Sequence, residues 1–505
     1  MIQGERTQLI VLLSVSVLLS LTLCLQTPVI SLDGAFQYIP MAKAFSSGAY
    51  REGISINGQQ PLYPFLVGMA GRWISNLEWA GKGVASLFSV LLVIPVYWIG
   101  KRVFGRDVAF LSAFLLVMHP YLRRFSGDVL KESTHLFFLA VAIGFAFRTF
   151  QRNQVIAYLL IPLFSALPYL VRPDGMEVLV TVFIAALFLV PFEGAEKKRR
   201  AVLYLILSSL FLFLPQLLYL KAVTGEWALS KTKDLATLFF GYQGTTGGVP
   251  LVTRLFYSFK KLNFEIIAVY HPLFLFLLGI GLFRRRTVPW RMEEKFLLLL
   301  SALHYGILLL LILNTTGWNR NDAMQDHLFS GRHVLPLVLF SIYWVGEGVL
   351  ALHRWVCGTL NARGWLPRWG DTGRSNAVWA VLLAIMLFIT LPKTFRPNRY
   401  EKLPEKWAGI WIQSQQEKGG LIFTTLPRVA FYAGKPYEVF DPERDRVEDV
   451  RASMTEKGAL YLVVRDKDLN GFSKGVDTLK EHFTEVMRYE KEGMERVVIY
   501  KRMTL

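Results

Sequence analysis

The chain has 505 residues, of which 53% are apolar, 14% aromatic and only 19% charged. Soluble proteins carry about 25% charged residues, so this composition excludes a purely soluble or a disordered chain. The formal net charge of +18 is typical of basic cytoplasmic loops in a polytopic membrane protein, and we expect no nucleic-acid partner. The two cysteines, Cys24 and Cys357, offer neither a disulfide framework nor a cysteine metal site.

The first apolar run, residues 9–27, is about 19 residues long, which is enough to cross about 30 Å of hydrocarbon. A cleaved signal peptide would have a shorter apolar core and a small-residue cleavage site. We therefore expect an uncleaved first membrane helix.

Further apolar runs follow, and together with the first they predict about eleven membrane helices. They lie at about 84–100, 108–120, 133–147, 155–171, 176–191, 201–220, 264–283, 296–313, 333–351 and 377–392. If the N-terminus is cytoplasmic, the cytoplasmic segments carry about 19 Lys and Arg in roughly 67 residues, against about 15 in roughly 129 on the other side, as the positive-inside rule requires. An odd number of spans then places the C-terminus outside.

Residues 400–505 are charged and have no membrane-length apolar run. Short strand-like stretches (LIFTT, YEVF, ALYLVV, ERVVIY) alternate there with polar helical ones (PERDRVEDVRASMTEK, DTLKEHF). We predict a mainly α, polytopic membrane domain at 1–395 and a small α/β domain at 400–505 on the outer face.

The long first outer loop places Asp33 directly after the first span. The apolar residues that follow it recur at helical spacing, namely Ala35, Tyr38, Ile39, Ala42 and Phe45. This pattern predicts a helix in the membrane interface with a carboxylate beside it. On spacing alone, a helix N-cap or a solvated interfacial acid also explains Asp33.

Several segments together resemble the membrane-embedded glycosyltransferases of the GT-C fold, in the branch that contains the protein O-mannosyltransferases and the aminoarabinose transferase of lipid A. In chain order, these segments are Asp33 with its interfacial helix, PLYPFL, HPYLRRFSGDVLKES, LVRPDG, SGRHVLPLVL and PRVAFYAG. Each motif alone is weak, and the resemblance depends on their order over most of the chain. There are two departures, because Gly34 stands where many relatives have Glu, and QQPLY replaces a KPPLY-type segment. The second removes a cation that would lie near a donor phosphate.

The resemblance implies transfer of a sugar from a polyprenyl-phosphate donor to a hydroxyl of a lipid, glycan or protein, with inversion in a single displacement. Such a reaction needs a base for the acceptor hydroxyl and cations facing the phosphate. By resemblance Asp33 is the base, and Glu132 is the acid that opens the fourth helix. Asp128 and Glu132 are further candidate catalytic acids, since they would share one helical face if that helix begins early. The alternative is simple charge pairing with Arg123, Arg124 or Lys131.

Arg172 in LVRPDG and Arg332 in SGRHVLPLVL are the candidates for binding the donor phosphate, because a guanidinium presents a planar fork to phosphate oxygens. Snorkelling to the membrane interface is the alternative for each. The other side chains predicted to line the substrate site are Tyr38, Tyr63, Arg123, Arg124, Lys131, Lys231, Lys233 and His333. For Lys231 and Lys233 the alternative is that they are ordinary residues of a solvated loop at 221–262.

The histidines are scattered without ligand spacing. Asp322, Asp326 and His327 could in principle meet a divalent ion. The first loop, however, lacks the acidic cluster of the metal-dependent oligosaccharyltransferases, and we expect a metal-independent enzyme without a cofactor.

Two other classes remain open. A lipid or glycan transporter would place ionisable residues near the middle of its spans and often shows related halves, whereas these gather at the outer ends. An envelope-assembly scaffold needs no active carboxylate. The sugar and the acceptor are not specified by the sequence. We expect the protein to lie in the inner membrane, in contact with its lipids. The N-terminus would be cytoplasmic, and the C-terminal domain would lie in the periplasm or outside the cell.

Overall fold

The computed structural model describes residues 4–55, 60–152, 154–225, 227–230, 233–234, 249–315, 329–362, 371–415, 420–442, 445–471 and 475–503. A bundle of helices precedes residue 400, and a mixed sheet with short helices follows it. The predicted fold class, mainly α with a small C-terminal α/β unit, is confirmed.

Within these ranges, seven helices are long and apolar enough to cross a membrane. They are Glu5–Gln26, Leu77–Val103, Glu132–Arg152, Ala195–Ala222, Met292–Asn314, Gly331–Ala362 and Ser375–Thr394. An eighth span results if Leu251–Tyr270 and Pro272–Arg285, which meet at a bend of 97°, are counted as one broken helix.

The predicted number of about eleven spans is not confirmed. Three of the predicted spans form only short helices, namely Arg106–Met118, Ile161–Val171 and Glu177–Phe188, of 13, 11 and 12 residues. At 1.5 Å per residue these helices are roughly 17 to 20 Å long, which is less than the roughly 30 Å of a hydrocarbon core. Apolarity alone therefore does not separate a buried short helix from a span.

The remaining short elements of the bundle connect these helices. They are Gly34–Tyr38, a π-helical turn, then Ile39–Ser46, Tyr50–Ser55, Leu62–Ala70, Pro120–Arg123, the 3₁₀ turns Val155–Leu159, Pro173–Met176 and Gly331–Val334, and the short strands β1 (Ala228–Ser230) and β2 (Lys233–Asp234).

The predicted apolar face after Asp33 is confirmed, since its five residues, Ala35, Tyr38, Ile39, Ala42 and Phe45, are all buried. Gly34 is tightly enclosed there, because a Cβ atom would lie 2.7 Å from Ser31 Oγ and 2.9 Å from Ile30 Cγ1. A larger residue at this position would displace one of these neighbours. The Asp33-Gly34 departure from the related pattern thus has a local steric reason.

The described part of the C-terminal unit contains five strands: β3 (Ile422–Thr424), β4 (Tyr437–Glu438), β5 (Tyr461–Arg465), β6 (Phe483–Tyr489) and β7 (Val497–Arg502). Their order is β4-β3-β5-β7-β6, with β3 parallel to β4 and β5, and β7 antiparallel to β5 and β6. The helices are Leu403–Ser414, Pro427–Ala433, Val447–Glu456 and Gly475–His482, with 3₁₀ turns at Tyr400–Lys402 and Asp466–Gly471.

Alternate residues of the sheet face two separate cores. Leu462 and Val464 of β5 lie in the core that includes helix Val447–Glu456, whereas Tyr461 and Val463 lie in the core that includes helices Leu403–Ser414 and Pro427–Ala433. The second face lies toward the bundle, since Pro427–Ala433 packs against the turn Gly34–Tyr38. The sheet therefore brings this helix next to the loop that carries Asp33.

Candidate active site

Asp33 and Arg332 are brought together although they come from opposite ends of the bundle sequence. Arg332 Nη1 forms an ion pair with Asp33 Oδ2, and the two side chains are 33% and 23% exposed. Asp33 directly precedes the π-helical turn, and Arg332 lies in the 3₁₀ turn that opens the helix Leu335–Ala362. The pair thus lies where two helices begin, and both side chains remain accessible to solvent.

Glu132 lies beneath this pair and is fully buried. As predicted from the resemblance, it is the first residue of its helix, Glu132–Arg152. Its Oε1 atom lies 3.7 Å from Arg172 Nη1 and 3.9 Å from Arg332 Nη1, and neither carboxylate oxygen has a hydrogen-bond partner among the residues that the structure describes. One buried anion therefore lies between the two arginines that the sequence selected.

Arg172 is fixed by Asp174 two residues later. Its Nη2 lies 3.0 Å from Asp174 Oδ2 and its Nε donates to Asp174 Oδ1 over 3.1 Å, which is a bidentate pairing. Proline at 173 disfavours a helical conformation of Arg172, whose backbone is extended with φ −150° and ψ 141°. Burial alone would raise the pKa of Asp174, but Arg172 and the nearby histidines hold it below its usual range. Asp174 is therefore an anion that keeps the Arg172 guanidinium in place.

Lys131 is the third cation of this cluster. Its Nζ atom lies 5.5 Å from the centroid of the Tyr38 ring, and that ring meets the Tyr63 ring edge-on at 5.3 Å. Burial lowers the pKa of Lys131 to about 7, with Arg172 acting in the same direction and Glu132 against it. Lys131 consequently changes charge near neutral pH.

Tyr38 and Tyr63 form a wall beside Lys131. Both rings are fully buried, and the Tyr63 hydroxyl donates to the Gly81 carbonyl over 3.3 Å. Burial raises the pKa of both tyrosines, with nearby carboxylates adding to the effect. Both phenols are therefore neutral.

Asp128 does not share a helical face with Glu132, because the helix begins only at Glu132. Its Oδ2 forms an ion pair with Arg399, a partner that the sequence analysis did not suggest. Its Oδ1 accepts hydrogen bonds from the Ser31 and Val129 amides at 3.2 and 2.8 Å. These contacts connect the bundle to the segment that leads into the C-terminal unit.

Arg123 and Arg124 make contacts outside the Asp33 cluster. Arg123 is fully buried and donates to the Val117 carbonyl over 2.6 Å and to the hydroxyls of three serines, Ser16, Ser20 and Ser89. These bonds join the short helix of Arg123 to three other helices of the bundle, which is a structural role. Arg124 donates to Asn398 Oδ1 over 3.3 Å.

The remaining predicted residues are placed less completely. Lys231 lies outside the described residues, as do Asp322, Asp326 and His327, and Lys233 is described only as part of β2. His333 follows Arg332, and its ring caps its own turn by accepting from the Ser330 amide over 3.3 Å. The backbone carbonyl of His333 contacts the ring of His304.

The sequence did not predict the pairing of His304 with Glu177. His304 is fully buried in its span, and its Nδ1 atom lies 2.6 Å from Glu177 Oε2 while its Nε2 atom lies 2.8 Å from the His333 carbonyl oxygen. Both ring nitrogens thus face oxygen atoms. The pair of His304 and Glu177 therefore holds one proton more than a neutral imidazole and a carboxylate have together. An ionisable residue within an apolar span was the available signal.

Among the residues that the structure describes, no group of three or more His, Cys, Asp or Glu side chains is placed to hold a metal ion. Metal independence remains a prediction.

A family model and several solved structures match this chain. The family described as dolichyl-phosphate-mannose-protein mannosyltransferase matches residues 59–219. This range includes Lys131, Glu132 and Arg172 but neither Asp33 nor Arg332. No curated protein sequence matches the chain significantly.

Solved structures match over almost the whole chain. ArnT from Cupriavidus metallidurans bound to undecaprenyl phosphate has a TM-score of 0.60 at 11% identity, and its apo state has 0.59 at 13%, each covering 98% of both chains. The oligosaccharyltransferase AglB from Archaeoglobus fulgidus, in complex with an inhibitory peptide and a dolichol-phosphate, has 0.54 at 11%, covering 98% of this chain and 74% of that one. The chain is therefore a multi-pass membrane protein with the GT-C fold, as the sequence resemblance implied.

Proposed function

We propose that this protein is a membrane glycosyltransferase that moves one sugar from a polyprenyl-phosphate donor to a hydroxyl of a lipid, glycan or protein. The observation that carries the proposal is the convergence of the accessible carboxylate of Asp33 with three cations, Lys131, Arg172 and Arg332, around the buried Glu132. Two of the fold neighbours are bound to undecaprenyl phosphate or dolichol-phosphate, which supports a donor of this class.

The proposed reaction is one direct displacement with inversion. The acceptor oxygen attacks the anomeric carbon, the bond from that carbon to the phosphate oxygen breaks, and its electron pair stays on the phosphate. Asp33 takes the acceptor proton. Because no covalent sugar intermediate forms, a second carboxylate is not needed as a nucleophile.

The cations act on the leaving group. The departing lipid phosphate gains one negative charge, and guanidinium donors placed beforehand stabilise it. Arg332 contacts Asp33 through Nη1, and a guanidinium has five N–H donors in all. One arginine can therefore serve the base and the phosphate at the same time.

Lys131 offers an answer to the missing lysine of the KPPLY-type segment. The lysine of that segment corresponds to Gln59, which lies outside the described residues, and the next residue, Gln60, is buried and hydrogen-bonded to Tyr169. Lys131 comes from the second outer loop, and its Nζ atom lies 5.5 Å from the centroid of the Tyr38 ring, which contacts Tyr63 of the PLYPFL segment. We assign the phosphate-binding charge of the lost lysine to Lys131.

Glu132 and Asp128 take positioning parts in this scheme. Two adjacent guanidiniums repel each other, and a buried carboxylate between them offsets this repulsion. Glu132 has that place between Arg172 and Arg332. Asp128 holds Ser31 and Arg399 instead, so Asp33 remains the base.

The site is assigned to the outer face of the cytoplasmic membrane, with the N-terminus inside. The support is the excess of Lys and Arg in the segments expected to be cytoplasmic. The division into a membrane domain at 1–395 and an outer domain at 400–505 belongs to the same proposal, as does catalysis without a metal.

The test is turnover by the purified protein in detergent with a panel of short-chain polyprenyl-phosphate sugars and crude membranes as acceptor. We expect release of polyprenyl phosphate, with the sugar label in the acceptor fraction, and unchanged release in EDTA. Loss of activity in EDTA would contradict metal independence. No release with any donor, together with movement of labelled lipid across proteoliposomes, would contradict the transferase and indicate a transporter.

A further inference from the structure

The PRVAFYAG segment has no part in the reaction above, yet it lies against the loop of the proposed base. It forms the helix Pro427–Ala433, which packs on the turn Gly34–Tyr38. Next to it, the ring of Phe36 meets the ring of Tyr437 edge-on at 6.1 Å. The C-terminal unit is therefore in direct contact with the chain that follows Asp33.

Two side chains of this helix bind both backbone polar groups of one residue, Ile30. The Ile30 amide donates to the Tyr432 hydroxyl over 2.9 Å, and Arg428 Nε donates to the Ile30 carbonyl over 3.0 Å. Glu405 holds Arg428 in turn, at 2.9 and 3.2 Å from its Nη1 atom. A planar, double-anchored guanidinium and a rigid phenol thus fix the Ile30 peptide.

The residues before Ile30 are held in the same way. Lys406 Nζ donates to the Pro28 carbonyl over 2.8 Å, and Arg399 Nη1 donates to the Val29 carbonyl over 3.3 Å. Three consecutive carbonyls therefore accept bonds from side chains that follow residue 395. Val29 and Ile30 are completely buried, so water does not replace these bonds.

Beyond Ile30, the chain reaches Asp33 in three residues. Ser31 Oγ donates to the Val129 carbonyl over 2.8 Å and accepts from the Gly34 amide over 2.9 Å. Displacement of the segment 28–31 therefore moves the Asp33 backbone directly.

We propose that Arg428 and Tyr432 are positioning residues that set the place of the Asp33 carboxylate by holding the segment 28–31. This inference rests on the proposed function for its effect on catalysis, but not for the contacts themselves. It gives the PRVAFYAG motif a physical role, because the C-terminal unit completes the geometry of a site whose reacting groups all lie in the membrane domain.

The test compares Tyr432→Phe with Tyr489→Phe in the full-length protein. Tyr432→Phe removes the acceptor of the Ile30 amide together with the hydroxyl's hydrogen bond to Glu78, and keeps the ring over which Lys406 lies at 5.0 Å. Tyr489→Phe makes the same chemical change on β6 of the same unit, away from the segment. Arg428→Lys keeps the charge and loses the planar fork, and serves as a second variant.

Two readouts are needed, hydrogen exchange of the backbone amides in peptides covering 27–36, and donor kinetics. For Tyr432→Phe and Arg428→Lys we expect faster exchange, a kcat about tenfold to a hundredfold lower, and a donor KM within about twofold of wild type. A general loss of stability would instead speed exchange throughout the chain. Tyr489→Phe should match wild type in both readouts.

Unchanged exchange in Tyr432→Phe would overturn the proposed contact, and faster exchange with wild-type kcat would overturn the positioning role. If the wild-type protein itself releases no polyprenyl phosphate, the proposed function fails. The exchange rates then still decide whether these two residues hold the segment.

Discussion

Arg332 and Asp33 form an ion pair across a separation of 299 residues in the chain. The guanidinium assigned to the leaving phosphate therefore contacts the carboxylate assigned as the base. The distance between base and leaving group is set by one side-chain contact rather than by two independent loops, and this arrangement makes the first prediction specific.

Replacing Arg332 affects both donor binding and turnover. Arg332→Gln removes a charge-assisted contact to the phosphate and the partner of Asp33, and we expect the donor KM to rise by about tenfold or more, with a lower kcat. Arg332→Lys keeps the charge without the planar fork, and its donor KM and kcat should lie between those of wild type and Arg332→Gln. Arg284→Gln, which alters a partly buried pair with Glu347 elsewhere in the bundle, is the matched control, and wild-type kinetics in Arg332→Gln would remove Arg332 from the site.

The lowered pKa of Lys131 predicts the pH dependence of donor binding. Lys131, with a pKa of about 7, is protonated below that pH and neutral above it, whereas the phosphodiester of the donor keeps one negative charge throughout. Donor KM should be constant below about pH 7 and rise above it. Above that pH, donor binding must be accompanied by protonation of Lys131, which weakens the apparent affinity. KM measured from pH 6 to pH 8.5 tests this, and the profile of Lys131→Arg should be flat. An equal rise in both proteins would assign the titration to another group.

Glu132 is predicted to be a major stabilising residue of the empty site. Glu132→Gln leaves Arg172 and Arg332 facing each other without their shared, fully buried anion. We expect a loss of about 3 kcal/mol, seen as a lower apparent Tm in detergent. Glu193→Gln breaks an exposed pair with Lys197 and should leave the Tm unchanged. A Tm equal to wild type in Glu132→Gln would contradict its place between the arginines.

His304 and Glu177 should be energetically coupled. The single variants His304→Leu and Glu177→Leu each leave one buried polar partner unsatisfied, and the double variant removes both polar groups. We expect a coupling energy of about 2 kcal/mol in a double-mutant cycle of stability. The exposed pair of Arg200 and Glu196 should give a value near zero. Additive effects of the two buried substitutions would show that the short contact contributes nothing.

Much of the fold was predictable because it depends on long-range patterns. Apolar runs, basic loops and the order of weak motifs indicated a GT-C-like membrane protein, and four of the five C-terminal strands were predicted. The missed strand, β6, lies at the sheet edge and exposes Glu485 and Arg488, so its alternation is hidden by charge. In the sequence, short buried helices such as Glu177–Phe188 could not be distinguished from spans, because both are apolar runs.

The site was predictable only residue by residue. Asp33, Glu132, Arg172 and Arg332 were selected singly by motif, and the structure shows that they meet. Their pairing depends on how distant helix ends pack, which a single sequence does not encode locally. The same limit explains why the ion pair of Asp128 with Arg399 was not predicted, since Arg399 lies beyond the last span. His304 was visible as a lone ionisable residue in an apolar run, but its two acceptors were not.

The most direct test of the account is the turnover of Asp33→Asn beside wild type, with binding of undecaprenyl phosphate measured on the same preparations. Asparagine keeps the size and the hydrogen-bonding oxygen but takes no proton, so we expect release to fall about a thousandfold while binding stays within a few-fold of wild type. Asp107→Asn, an exposed acid in the helix Arg106–Met118, should be unaffected. Turnover of Asp33→Asn within a few-fold of wild type would contradict Asp33 as the base.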